Sequence, residues 1–193
     1  RQLRTIVNEA INHGVIKADD YPFRKFKIKS EKGRFEWLTP QELKRLEKLE
    51  VKDKGQRHVL DAFLFCCYTG LRYSDFVRMK PDWVEHINGR QWLHFWTKKT
   101  GTEVRLPLPL LFDGKALGIV ERYGDIGRLA HIYGNHDTNV ALSRIMEAAK
   151  IRKRATFHTS RHTCATFLVY QGVPITTVQK ILGHSSLRTT QIY

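Results

Sequence analysis

The chain has 193 residues, enough for one complete domain and part of a second. Its 33 lysines and arginines outnumber its 19 acidic residues, which gives a net charge of +14. This excess indicates a polyanionic partner, because cations that neutralise phosphates release the counterions around a nucleic acid. An incidentally basic protein, such as a ribosomal one, would have the same composition. No apolar run has the length of a membrane span, which argues against a membrane partner.

The cysteines argue against two further classes of protein. Cys66 and Cys67 lie in the apolar run AFLFCCY and are predicted to be core residues, and Cys164 is the third. An odd count without CxxC spacing is typical of neither a zinc site nor a disulfide framework. The reducing cytoplasm is therefore the expected compartment.

The first predicted element is an amphipathic helix. Its apolar residues at positions 3, 6, 7, 10 and 11 share one face, and Gly14 is placed to end it. We expect this helix to pack against a domain that precedes it in a longer protein. The polar, basic residues 21–36 are predicted to be an inter-domain linker, which either follows DNA phosphates or is simply solvated.

Three helices are predicted next. The pattern TPQE at Thr39 has the residues of a capping box. Val59–Tyr68 is almost entirely apolar and predicts a buried central helix. The sequence TGLR then interrupts the helical pattern, and Ser74 or Asp75 is predicted to cap a short helix through Met79.

A β-region follows, in which aromatic runs alternate with turn signals. The predicted strands form a three-stranded antiparallel meander, with Lys98 and Lys99 at its second turn. They are Trp83–Ile87, Gln91–Thr97 and Thr102–Leu106.

The remainder is predicted to be helical. One helix near Leu110–Tyr123 is interrupted by glycines, and the others are limited by caps, glycines and a proline. These others are Thr138–Lys150 with Asp137 as its cap, Ser160–Gln171, and Pro174–Leu182 ended by Gly183.

Six side chains scattered along the chain have complementary chemistry. Arginine forks stay protonated and contact two phosphate oxygens, histidine and lysine move protons, and tyrosine forms covalent intermediates. Each type alone is more often structural: an arginine here would pair with Asp75, a histidine would cap a helix and a lysine would be solvated. The candidates are Arg72, Lys99, His158, Arg161, His184 and Tyr193.

A metal site is the alternative for two histidines. His158 and His162 are four residues apart, as in the zinc-binding helices of metalloproteases. Those helices need glutamate directly after the first histidine, and this chain has Thr159 there. The sequence therefore predicts no metal.

The order of these residues resembles a known family. Four segments of the chain are similar to motifs of the tyrosine recombinases, the phage-integrase family. They are TGLRYSD, KTG before a strand ending in LPL, HTSRHTCATFL and LGHSSLRTTQIY. The resemblance covers Trp37 to Tyr193, and TGLRYSD is most similar to integrases of Bacteroidetes mobile elements.

The resemblance implies a role for each candidate residue. Arg72 and the pair His158 and Arg161 would bind the phosphate. His184 would brace the phosphate, and Tyr193 would be the nucleophile. Lys99 would be the general acid, with Lys98 as the alternative, and Asp75 would support the turn after Arg72.

The resemblance also implies a fold and a function. The fold would be α+β and mainly helical, the catalytic fold of DNA breaking–rejoining enzymes with a small three-stranded antiparallel sheet. The enzyme would be a site-specific DNA recombinase, or integrase, of a mobile genetic element, acting in DNA integration or transposition through a 3′-phosphotyrosyl intermediate. It would need no cofactor and no metal. A type IB topoisomerase-like relaxing enzyme and a catalytically silent DNA-binding protein of the same fold are the alternatives.

Partners and organisation follow from the same resemblance. Four protomers would assemble on double-stranded DNA in the bacterial cytoplasm, associated with the nucleoid, and accessory DNA-bending or excision factors would join them. Residues 1–23 would be the last helix of a truncated core-binding domain, 24–36 a linker and 37–193 the catalytic domain. Two departures from the family pattern are expected: Ser160 replaces a leucine that is common in the family, and the C-terminal helix that usually follows the nucleophile would be absent after Tyr193.

Overall fold

The computed structural model describes residues 2–24, 26 and 35–193, and most of the linker expected at 24–36 lies outside the described residues. The chain divides into two compact units, with the boundary between residues 34 and 35. The first unit contains α1 (Gln2–Asn12) and two 3-10 turns, Ala18–Asp20 and Pro22–Arg24. Gly14 follows α1 with a left-handed φ of 71°, so the predicted helix and its terminator are confirmed.

The second unit is mainly helical, with one small sheet. Its strands are β1 (Val84–Ile87), β2 (Arg90–Trp96) and β3 (Glu103–Pro107). Its helices are α2 (Pro40–Glu47), α3 (Lys54–Thr69), α4 (Tyr73–Phe76), α5 (Lys115–Tyr123), α6 (Ile126–Ala130), α7 (Asn135–Ala148), α8 (Phe157–Tyr170), α9 (Ile175–Leu182) and α10 (Leu187–Thr190). Two 3-10 turns, Pro81–Trp83 and Leu111–Gly114, complete it.

Helix α3 is the centre of the second unit. It begins at the Asp53 cap, and every residue from Val59 to Thr69 is buried, including Cys66 and Cys67. Helices α2, α5, α6, α7 and α8 pack against it, which buries all sides of its C-terminal two-thirds. Gly70, in the left-handed conformation, ends the helix. The predicted buried central helix is confirmed.

The sheet has the predicted order and direction. Strand β2 lies between β1 and β3 and pairs antiparallel with both. Asn88 and Gly89 have φ values of 50° and 71°, the left-handed pair that a two-residue hairpin turn requires. The alternate residues Leu93, Phe95, Val104 and Leu106 are buried on one face.

Three predicted helix starts are wrong. Helix α4 begins after Arg72 and ends at Phe76, so Ser74 and Asp75 lie inside it and it does not reach Met79. Helix α7 begins after Gly134 instead of at the expected Asp137 cap. Helix α8 begins three residues earlier than predicted, because Thr156 and Thr159 form a capping box at its start and the Phe157 N–H donates to the Asn139 side chain of α7 at 2.7 Å.

The elements nearest the C-terminus position the site. Helix α9 packs on α8 and on β3, and α10, which the sequence did not predict, packs on α9. Helix α6 was also not predicted. Within the described residues, no helix is both long and apolar enough to cross a membrane.

Candidate active site

Arg161 lies at the centre of the candidate site and joins two helix ends. Its Nη1 donates to the Gly70 carbonyl at the end of α3, and its Nη2 donates to the Leu182 carbonyl at the end of α9, both at 2.6 Å. The side chain is buried, and burial together with the nearby Arg72 lowers its pKa to about 10. The guanidinium is therefore charged at pH 7. Two of its five N–H donors are used, so three remain for a ligand.

The close approach of these helix ends depends on Gly70. Its φ is 70°, and a Cβ there would lie 2.7 Å from Cδ2 of Leu182 and 3.2 Å from Sγ of Cys164. Glycine therefore lets α3, α8 and α9 meet and places both carbonyls within reach of Arg161.

Arg72 has a donor without a partner. Its Nη1 is buried, and no described residue accepts a hydrogen bond from it. The Asp75 carboxylate is 3.8 Å from this nitrogen, beyond hydrogen-bond length. Burial lowers the pKa of Arg72, and Asp75 partly opposes that shift. A buried cationic donor without an acceptor is costly, and an anion in the site would satisfy it.

The second turn of the sheet is anchored next to Arg72. The Asp75 carboxylate accepts a 2.7 Å hydrogen bond from the backbone N–H of Lys98. Thr100 donates to the Gly183 carbonyl at 3.3 Å, which ties the same turn to the end of α9. Lys98 and Lys99 are exposed on this turn, and the charge of Lys99 is one of those that lower the pKa of His158.

His158 and His184 are neutral imidazoles in a cationic environment. Desolvation, followed by nearby positive groups that include Arg161 and Arg72, lowers the pKa of each to about 4. His184 is buried, and its Nδ1 lies 2.9 Å from the Thr190 hydroxyl. This contact leaves Nε2 of His184 available for a ligand.

The phenol of Tyr193 reaches the same site. Its oxygen is 2.7 Å from Nδ1 of His162, and its ring packs on the buried cluster that includes Cys164 and Leu182. Burial raises the pKa of Tyr193, while Arg161 and Arg72 act in the opposite direction. The two guanidinium groups and the phenol therefore interact electrostatically.

The structure thus brings the six predicted residues together, although the first and the last of them, Arg72 and Tyr193, are 121 residues apart in the chain. It does not group His158 and His162 in a metal site: no cluster of three or more His, Cys, Asp or Glu suited to a metal occurs among the described residues.

Comparison with known protein families identifies the family of this chain. Residues 36–193 match the phage integrase family. The chain belongs to this family. The match covers most of the chain and includes all six candidate residues.

Individual family members agree with this assignment. Tyrosine recombinase XerA of Pyrococcus furiosus is 30% identical over 164 residues, covering 81% of this chain and 56% of XerA. The chain therefore spans about half the length of curated relatives that match most of it.

Solved structures of the family share the fold. A lambda integrase dimer bound to a COC′ core site superposes with a TM-score of 0.78 at 21% identity, covering 99% of this chain and 69% of that chain. A lambda integrase tetramer bound to a Holliday junction gives a TM-score of 0.75 at 21% identity, covering 97% and 56%. The α+β, mainly helical family fold with a three-stranded sheet is confirmed.

Sequence reasoning missed two residues of the site. His162 holds the phenol oxygen of Tyr193, and Thr190 contacts His184. His162 was considered only as a metal ligand with His158. The i, i+4 spacing placed both histidines on one face of α8, but nothing in the sequence indicated that residue 193 would reach that face.

Proposed function

We propose that this chain is the catalytic part of a site-specific DNA recombinase that cleaves and rejoins strands through a 3′-phosphotyrosyl intermediate. The observation that carries the proposal is the unpartnered buried Nη1 of Arg72 beside Arg161 and a phenol. A phosphodiester there would accept from both guanidinium groups. The net charge of +14 favours a DNA backbone as the source of that phosphate.

The chemistry is a direct displacement at phosphorus. The Tyr193 oxygen bonds to phosphorus as the bond to the 5′-oxygen breaks, and Lys99 gives that oxygen a proton. Arg72, Arg161, His158 and His184 would donate to the non-bridging oxygens, where negative charge accumulates in the transition state. Attack by the 5′-hydroxyl of another DNA end reverses these steps, so the energy of the bond is retained. No cofactor is required by this scheme.

The anchoring of the turn supports Lys99 as the general acid. Asp75 and Gly183 fix the turn beside Arg72, and the charge of Lys99 acts on His158 within the site. A proton donor must lie within reach of the leaving oxygen, and an exposed side chain on a fixed turn meets that need. Lys98 remains the alternative.

The assembly and surroundings are further parts of the proposal. Lambda integrase has been solved as a dimer on a core site and as a tetramer on a Holliday junction, so we propose that four protomers act together on double-stranded DNA. Residues 1–23 would end a core-binding domain and 24–36 would link it to the catalytic domain. Accessory factors, the nucleoid location and the similarity to Bacteroidetes integrases stay predictions.

The test is covalent trapping on a DNA substrate that is nicked so that the cleaved end diffuses away. Full-length protein should form a protein–DNA adduct that survives denaturation, and Tyr193→Phe should form none. Tyr73→Phe is a control, because that phenol donates to the Tyr133 carbonyl and belongs to no part of the proposed chemistry. An adduct in Tyr193→Phe would refute the nucleophile, and no adduct in the wild type would refute the proposed function.

A further inference from the structure

His162 is the group that contacts the proposed reacting oxygen. Its Nδ1 lies 2.7 Å from the Tyr193 hydroxyl, and no other hydrogen-bond partner of that hydroxyl exists among residues 2–24, 26 and 35–193. The contact joins the middle of α8 to the end of the chain, 31 residues away. His162 follows Arg161 directly, so one helical turn carries both an arginine proposed to donate hydrogen bonds to the phosphate and the hydrogen-bond partner of the phenol.

This hydrogen bond exists in two tautomeric forms. In one, Nδ1 of His162 donates to the phenol oxygen. In the other, the hydroxyl donates, Nδ1 accepts and the ring proton lies on Nε2. Only the second form places the phenol proton between the oxygen and a nitrogen lone pair, so it is the form from which proton transfer can start.

The surroundings of His162 keep its ring neutral. Burial and then Arg161 lower the pKa of His162, so its Nδ1 lone pair is free at pH 7. The titratable groups around it are Arg161 and His158 on its own helix, with the His158 ring centroid 4.6 Å away, together with Tyr193 and His184. The Phe35 ring packs at 5.1 Å and limits the rotation of the imidazole.

Neither of the other two histidines is hydrogen-bonded to the phenol. Nδ1 of His184 faces the Thr190 hydroxyl, and His158 has no hydrogen bond to the phenol. Distance to the reacting atom therefore separates the three histidines, and His162 alone among these three is within hydrogen-bond reach of it.

We propose that His162 is the general base that takes the proton of Tyr193 during cleavage, an inference that rests on the proposed function. As the phenol O–H bond breaks, the proton moves to Nδ1 of His162, the oxygen–phosphorus bond forms, and the bond from phosphorus to the 5′-oxygen breaks. Lys99 supplies the proton for that 5′-oxygen. In rejoining, the attacking 5′-hydroxyl returns a proton to Lys99, and imidazolium His162 returns its proton to the phenol.

Single-turnover cleavage of the nicked substrate at pH 7 tests the role of His162. Asparagine places an oxygen near the position of Nδ1, so His162→Asn keeps a hydrogen-bond acceptor but cannot take a proton. We expect the cleavage rate to fall about 100-fold or more, the size of a general-base contribution. His86→Asn, an exposed histidine on β1, is the matched control and should keep the wild-type rate. A wild-type rate in His162→Asn overturns the proposal, and a faster rate also does, because the contact would then restrain the phenol.

The pH profile and the leaving group give readouts that misfolding would not produce. The wild-type rate should fall with decreasing pH as His162 becomes protonated, and His162→Asn should lose this dependence. DNA with sulfur in place of the 5′-oxygen has a leaving group that needs no proton, so it should restore cleavage by Lys99→Ala but not by His162→Asn. Rescue of His162→Asn, or an unchanged pH profile, refutes the general base. If the wild type forms an adduct, either of these failures leaves the proposed function standing.

Discussion

The two arginines of the site should differ sharply in their effect on folding. Arg161 donates to two buried carbonyls, whereas the buried Nη1 of Arg72 has no acceptor among the described residues. Arg161→Ala would leave the carbonyls of Gly70 and Leu182 without donors in a buried region. Each orphaned buried acceptor costs about 1–3 kcal/mol, so we expect a loss of about 2–6 kcal/mol of unfolding free energy. Arg72→Ala breaks no hydrogen bond of Nη1 and should change stability by less than about 1 kcal/mol.

Urea unfolding without DNA, followed by circular dichroism, measures this difference. The midpoint for Arg161→Ala should be far below that of the wild type, and Arg72→Ala should unfold close to it, while neither variant forms the covalent adduct. Arg161→Lys retains the charge but not the fork and should be intermediate. Equal midpoints for the two alanine variants would contradict the reasoning, because the two hydrogen bonds would then contribute nothing to the fold.

Two further predictions concern α9 and the residues after it. Gly183 has a φ of 59°, and a Cβ there would lie 2.7 Å from the Cγ2 atoms of Thr97 and Val104. Gly172 also has a positive φ, but a Cβ there would meet no atom, so Gly183→Ala should lower the thermal midpoint clearly more than Gly172→Ala. Equal losses in the two variants would rule out the clash. Burial and nearby cations hold the pKa of His184 at about 4, below its ordinary value of 6.5, so the folded protein binds fewer protons than the unfolded chain between these values. The free energy of unfolding should therefore decrease as pH falls from about 6.5 to 4, and it should decrease less steeply in His184→Asn. If the urea midpoints of the wild type and His184→Asn fell in parallel with pH, His184 would not be the cause of the pH dependence.

Features set by neighbouring residues could be predicted from the sequence. The capping box of Thr39 and Glu42 and the buried run of α3 depend on spacing alone, and both occur as expected. The start of α8 was missed although part of its cap is local, because the Thr156 N–H donates to the Thr159 hydroxyl at 3.0 Å. The contact of the Phe157 N–H with the Asn139 side chain of α7 could not be predicted, since no local pattern relates these two positions.

The candidate site shows the same division. Residue types and order were sufficient to select the six candidates, which the structure brings together, while their roles stay predictions. The sequence indicated Arg161 as a phosphate ligand and gave no sign that it also joins α3 to α9, since its acceptors are backbone carbonyls. Backbone acceptors carry no residue signature. The contact between His162 and Tyr193 was missed because no local pattern relates positions 31 residues apart.

The carboxylate of Asp75 connects the turn that carries Lys98 and Lys99 with the arginines on either side of α4. It accepts from the backbone N–H of Lys98, and its two oxygens lie 3.8 Å from the guanidinium groups of Arg72 and Arg78. A longer glutamate would push the turn outwards, and a neutral asparagine would leave the cations uncompensated. Position 75 should therefore tolerate very few replacements in directed-evolution experiments, although its side chain never meets the substrate in the proposed chemistry.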